Sequence, residues 1–165
     1  MFGHKLLTGL PFLPFEGTDE EVPDEPYEVE FGKATLRREG NDLTIISAGL
    51  MVHRSLRAAE MLQQDGISAE VIDLRTLIPL DEETIVKSAK KTGRVLIVDE
   101  DYMSYGMTRE VAFRIQAKAL KDLKVPIARL AVPDVPIPFS EPLENDVIPS
   151  IKRIYNEARK LYQGS

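Results

Sequence analysis

Residues 69–98 decide the fold class. They open with Ala69-Glu70-Val71-Ile72-Asp73-Leu74, pass through Asp81-Glu82-Glu83 and the lysines 87, 90 and 91 to Gly93, and close on Val95-Leu96-Ile97-Val98. The outer runs are short, apolar and rich in β-branched residues, as buried strands are. Between them Asp81 is placed to cap a helix with acids in its first turn and lysines near its end, which complements the helix dipole. Gly93 supplies the stop. Strand, helix and strand in this order imply a right-handed crossover and a mostly parallel sheet.

The pattern extends in both directions. Upstream, Ala34–Arg38 and Asp42–Ser47 flank Glu39-Gly40-Asn41, which predicts a hairpin and hence one antiparallel strand. After Ala48-Gly49, the positions Val52, Leu56, Ala59 and Leu62 predict a helix that stops at Asp65-Gly66. Downstream, Thr108 is the expected cap of a helix with Val111, Ala112, Ile115 and Ala119 on one face. Pro126–Val132 reads as a further strand, Pro133, Pro136 and Pro138 as an irregular passage, and a last amphipathic helix is expected from near Pro149. The expected fold is α/β: three layers, a mostly parallel sheet with one antiparallel strand, and helices on both faces.

Residues 31–165 are expected to form this single domain and residues 1–30 an extended arm or linker. That first segment holds eight acidic side chains against Lys5, which leaves the rest of the chain near neutral within the formal charge of -6. It also contains Pro11, Pro14, Pro23 and Pro26, which disfavour helix and central strand. A solvated connector is the plain reading. The sharper one is an arm that wraps a partner with Leu6, Leu7, Leu10, Phe12, Leu13 and Phe15.

Composition excludes several chemistries. There is no cysteine, so disulfides, thiolate metal sites and cysteine nucleophiles are ruled out, and a cytoplasmic location is expected. The acidic balance argues against nucleic acid, and no apolar run suits a membrane span. The loop after Ile46 lacks both phosphate-binding glycine fingerprints, and Gly49 is read as a tight strand-to-helix turn. Asp99, Glu100 and Asp101 invite a metal or general base, but successive strand residues point in alternating directions. Capping, pairing with Arg75 or Lys91, and solvation are preferred; Asp73 and Arg75 are read as fixing their loop. His4 and His53 are far apart, Ser104 has no nucleophile elbow, and His53 is expected to sit exposed at a helix start. On the residues alone, no catalytic, cofactor-binding or metal-binding residue is assigned.

A resemblance rests on ordered stretches. They are His4-Lys5-Leu6-Leu7, Val22-Pro23-Asp24-Glu25-Pro26-Tyr27, Gly32-Lys33-Ala34 and Arg38 through Thr44. Gly66 through Asp81, Lys91-Thr92-Gly93-Arg94, Val98-Asp99-Glu100, Val125 through Arg129 and Pro136-Ile137-Pro138-Phe139 follow. Together they resemble the C-terminal domain of the beta subunits of pyruvate, branched-chain and acetoin dehydrogenases, which is similar to the third domain of transketolase. The resemblance implies an assembly domain of a thiamine-diphosphate-dependent 2-oxo acid dehydrogenase. Its parent reaction is oxidative decarboxylation with acyl transfer to lipoyl-lysine. The cofactor and Mg²⁺ would be held by a Gly-Asp-Gly motif and an upstream glutamate in other domains, neither of which this sequence carries.

Implied partners are the alpha subunit, the N-terminal half of the beta subunit, an acyltransferase core and further copies of the chain. Many family members have an acid after the leucine of a Leu-Asp-Ala-Pro stretch, which helps to dock a basic subunit-binding domain. Here the stretch is Leu123-Lys124-Val125-Pro126, which puts that docking mode in doubt. Candidate partner-docking residues are Lys124, Leu10, Phe12, Phe15 and Phe139. The alternative is an autonomous α/β module for a small ligand.

Overall fold

A computed structural model describes residues 24–164. Five strands form one sheet in the order β1-β3-β2-β4-β5. They are β1 (Thr35–Arg38), β2 (Leu43–Ser47), β3 (Ala69–Asp73), β4 (Val95–Tyr102) and β5 (Ala128–Val132). The helices are α1 (Leu50–Gln64), α2 (Glu82–Thr92), α3 (Met107–Ala119), α4 (Glu141–Val147) and α5 (Ile151–Gln163). β2 is parallel to β3 and β4, β4 is parallel to β5, and β1 is antiparallel to β3.

Alternation along each strand divides the core between two faces. Leu43, Ile45, Val71, Leu96 and Val98 pack with Met51, Ala58 and Leu62 of α1 and with Ile154, Ala158 and Leu161 of α5. Ile46, Ile72 and Ile97 pack on the other side with Ile85 and Ala89 of α2 and Val111, Ile115 and Ala119 of α3. One polar group crosses that second layer. Glu70, almost fully buried, accepts from Ser88 Oγ and from Lys91 Nζ, and Thr44 Oγ1 lies 2.6 Å from Ser88 Oγ and 2.9 Å from Thr92 Oγ1. Pairing and hydrogen bonding compensate the desolvation of the carboxylate.

The caps of α2 form as expected: Asp81 Oδ1 accepts from the Thr84 amide at 3.1 Å, and Gly93 takes the left-handed conformation at φ 70°. α1 is capped at its end by Asp65, and α5 starts near Pro149 as expected, with Ser150 as its cap.

The hairpin expectation fails. β1 does not pair with β2; the two strands lie on opposite sides of β3. The connection crosses the start of β3, where the Asn41 and Asp42 amides donate to Ser68 O and the Ser68 amide donates to Asp42 Oδ2 at 2.7 Å. Gly40 is needed there for close approach, because a Cβ would lie 2.2 Å from the Ala69 carbonyl carbon.

Other differences are smaller. Thr108 is buried inside α3, whose cap is Gly106. β4 continues through the three acids to Tyr102 because the Tyr102 region still pairs with Val132 of β5. The short helix α4 follows the proline-rich passage, with Pro142 in its first turn where its missing amide costs nothing.

A candidate assembly surface at the carboxyl edge of the sheet

Three loops leave the carboxyl ends of β3, β4 and β5, and each presents a large apolar side chain to solvent. Ile78 is 94% exposed, Tyr105 94% and Phe139 fully so at 105%. Leu77, Val135 and Ile137 of the same loops are exposed as well.

The loops are held in place. Arg75, at φ 55°, donates its amide to Asp73 Oδ1 at 3.0 Å. Thr76 Oγ1 donates to Pro79 O at 3.0 Å and accepts from the Gly32 amide at 3.0 Å, which brings the exposed Phe31 to this edge. Ser104 donates through its amide and its hydroxyl, at 3.2 and 2.6 Å, to the Asp134 carboxylate, so the β4 and β5 loops are tied together. Arg129 Nη1 donates to Met103 O at 3.1 Å, and the Arg109 guanidinium lies 5.2 Å from the centre of the Tyr105 ring.

Tyr105 itself has φ 63°. A left-handed conformation is costly for a side-chain-bearing residue and persists only where its surroundings impose it. Among the described residues, Arg75 and Tyr105 are the non-glycine residues with positive φ, and both sit on this edge.

The connections from β2 and β4 leave in opposite directions, so the crevice between those strand ends is where a doubly wound sheet binds ligands. Gly49, at φ 57°, makes the sharp entry into α1 expected of it. Facing it is an acidic strand end. Burial pushes the Asp99 carboxyl up to about 6, against the Glu100 and Asp101 amides that hydrogen-bond to it, and the Asp101 and Glu100 charges push the same way. With Asp73 and Asp101 at the strand ends and Asp134 in the loop after β5, this edge repels a diphosphate. No group of three His, Cys, Asp or Glu able to hold a metal occurs among the described residues. The described residues at this edge do not fit thiamine diphosphate with Mg²⁺.

Of the residues named from sequence, Phe139 lies on the rim. Lys124 lies at the opposite end of the sheet: its amide donates to Gly93 O and its Nζ to Thr92 O at 2.9 Å, so it caps the carboxyl end of α2. The two are not brought together. Leu10, Phe12 and Phe15 lie outside the described residues. Lys91 pairs with Glu70, not with the acids of β4. His53 is half-buried on α1 instead of exposed, because the first turns of that helix face the core. Ile78 and Tyr105 were missed, although an isoleucine in a proline-flanked turn and a tyrosine before a loop glycine were visible in the sequence.

The model of the transketolase C-terminal domain matches residues 32–154. The chain belongs to that family. Among its curated relatives is the pyruvate dehydrogenase E1 component subunit beta of Bacillus subtilis (strain 168), 46% identical over 144 residues, which are 87% of this chain and 44% of that protein. The 2-oxoisovalerate dehydrogenase subunit beta of the same organism is 50% identical over 125 residues, 75% of this chain and 38% of that protein. The acetoin:2,6-dichlorophenolindophenol oxidoreductase subunit beta of Cupriavidus necator is 41% identical, covering 90% and 44%. A solved split-gene transketolase, described as an inactive beta4 tetramer, superposes with a TM-score of 0.71 at 29% identity, over 88% of this chain and 46% of that one. The chain thus spans less than half the length of the curated relatives it matches. The transketolase C-terminal fold accounts for the mostly parallel sheet and its one antiparallel pair, and the relatives give no support to an independent small-ligand module. Among the described residues no helix is long and apolar enough to cross a membrane.

Proposed function

We propose that the chain is the assembly domain of the beta subunit of a thiamine-diphosphate-dependent 2-oxo acid dehydrogenase. The observation that carries this reading is the rim of Ile78, Tyr105 and Phe139: three large apolar side chains bare on the loops that leave one edge of the sheet. Patches of this kind mark surfaces that are covered by a partner. The named relatives are dehydrogenase beta subunits, and the acidic strand ends favour a domain that binds protein and leaves the cofactor to others. The partners proposed for it are the N-terminal half of the beta subunit, the alpha subunit and further copies of the chain, with an acyltransferase core beyond them. The parent activity is that of an oxidoreductase acting on the oxo group of a 2-oxo acid. Residues 1–30 serve as its arm.

Sedimentation equilibrium of the chain, alone and mixed with the separately expressed N-terminal half of the Bacillus subtilis relative, tests the reading. Self-association or a mixed complex at tens of micromolar is expected, and a monomer in both experiments would overturn it. Calorimetric titration with thiamine diphosphate and Mg²⁺ is expected to show no binding by the chain alone. Micromolar affinity would place cofactor ligands here and reverse the assignment.

A further inference from the structure

On the face away from α1 and α5, helices α2 and α3 leave an outer seam made of three joined clefts. The first, about 650 Å³, opens beside Glu82, Val86 and Lys87. It shares Lys90 and Lys118 with a second of about 720 Å³, whose apolar floor includes Phe113, 68% exposed, and Leu120, 59% exposed. Gln116 and Leu120 carry the seam into a third of about 510 Å³ that ends at Lys124. Six basic side chains line these clefts against three acidic ones, in a chain whose formal charge is -6. A basic seam with an apolar floor calls for an acidic segment with apolar anchors.

The chain contains such a segment. Leu10, Phe12, Leu13 and Phe15 run directly into Glu16, Asp19, Glu20 and Glu21. These residues lie outside the described ones, but the stretch Gly32–Ala34 downstream of them is placed. The Ala34 amide donates to Asp81 Oδ2 at 3.0 Å and Gly32 packs on Pro79, so the chain enters the domain at the amino end of α2, where the first cleft opens. The 11 residues of α2 span roughly 16 Å at ~1.5 Å per residue, a distance that about five extended residues cover. Twenty-three residues precede the described part, more than enough to reach and fill the seam.

We propose that the α2–α3 seam binds the segment Leu10–Glu21 of the same chain, with Phe12 and Phe15 against Phe113 and Leu120 and the acids against Lys87, Lys90 and Lys121. This goes beyond the assembly reading and does not rest on it. The test is Glu-specific proteolysis of the full chain, following cleavage after Glu16, Glu20 and Glu21 by mass spectrometry. The comparison is the exposed-site variant Lys87→Gln/Lys90→Gln/Lys121→Gln, with thermal melts confirming that both proteins are folded. Cleavage of the unsubstituted chain is expected to be about tenfold slower than that of the variant, and the protection is expected to fade in molar salt as exposed ion pairs are screened. Equal cleavage rates would overturn the proposal. Protection that rises with protein concentration would overturn it as well, by placing the segment on a second copy.

Discussion

Gly40 lies against the backbone of Ala69 so closely that a methyl group on the glycine would sit 2.2 Å from the Ala69 carbonyl carbon. This contact allows the β1–β2 connection to pass over the start of β3 and puts the two strands on opposite sides of it. The atoms it would strike are backbone and cannot swing away. Gly40→Ala is therefore expected to cost ~2–3 kcal/mol in a urea melt, as overpacking does. Gly66→Ala, with φ 78° but open space around it, is expected to cost only about 1–2 kcal/mol from the left-handed backbone. A smaller loss at Gly40 than at Gly66 would show that the crossing can shift.

The same contact explains where the sequence misled. Glycine before asparagine, between two β-rich runs, looks identical whether it turns a hairpin or lets one strand pass beneath a connection, and only the neighbour across the gap distinguishes them. The βαβ unit from Ala69 to Val98 was legible because period, cap and stop all agree on it. The reach of β4 through Asp99–Tyr102 was not, since a charged run reads as loop unless the pairing with Val132 is known. Of the rim, the sequence offered only Phe139, for a different reason. Ile78 and Tyr105 have the composition of core residues, and only the assembled edge leaves them bare. For Lys124 the sequence showed an altered charge but not the Thr92 carbonyl that the new ammonium meets.

Asp99 makes the protein's stability depend on pH. Burial raises its folded-state value to about 6, above the ordinary 3.8, so between those values the folded state holds the proton more tightly than the unfolded chain. Stability is then lost as pH rises from 3.8 through 6, once the carboxylate must ionise where it is poorly solvated. Asp99→Asn removes that cost. The variant is expected to be more stable than the parent by ~1–3 kcal/mol near pH 8 and close to equal to it near pH 4. Urea melts at the two pH values provide the check, and a gain that is the same at both would remove titration as the cause.

Lys124 is tied to the carboxyl end of α2, where its ammonium meets the Thr92 carbonyl at 2.9 Å. Lys124→Ala is expected to cost about 0.5–1 kcal/mol, the usual value of a cation at a helix end. Lys124→Asp is expected to cost more, because a carboxylate would then face unpaired carbonyls. A thermal melt of the two variants checks the order. Binding of a basic subunit-binding domain is measured on the same proteins. Gain of binding by Lys124→Asp alone would place that partner at this corner, whereas no gain would leave Lys124 a helix cap.

Tyr105 separates folding from assembly. Its left-handed backbone costs the isolated domain ~1–2 kcal/mol, a cost that glycine does not pay. Tyr105→Gly relieves that strain. It also loses the contact with Arg109 and gives the unfolded chain more freedom, worth together roughly 1–2 kcal/mol in the opposite direction. Its stability is therefore expected to fall within about 1 kcal/mol of the parent's. Its association is expected to suffer far more, since a rigid aromatic anchor is a typical hot spot worth ~2 kcal/mol or more when truncated, a loss of some thirtyfold in affinity. Tyr105→Ala keeps the strain and loses the anchor, so it should be less stable than Tyr105→Gly and associate equally poorly. The decisive measurement is sedimentation equilibrium beside a urea melt for all three proteins. If both variants associate as the parent does, the strained tyrosine is a consequence of closing the β4–α3 loop, and the assembly surface must be sought away from this edge.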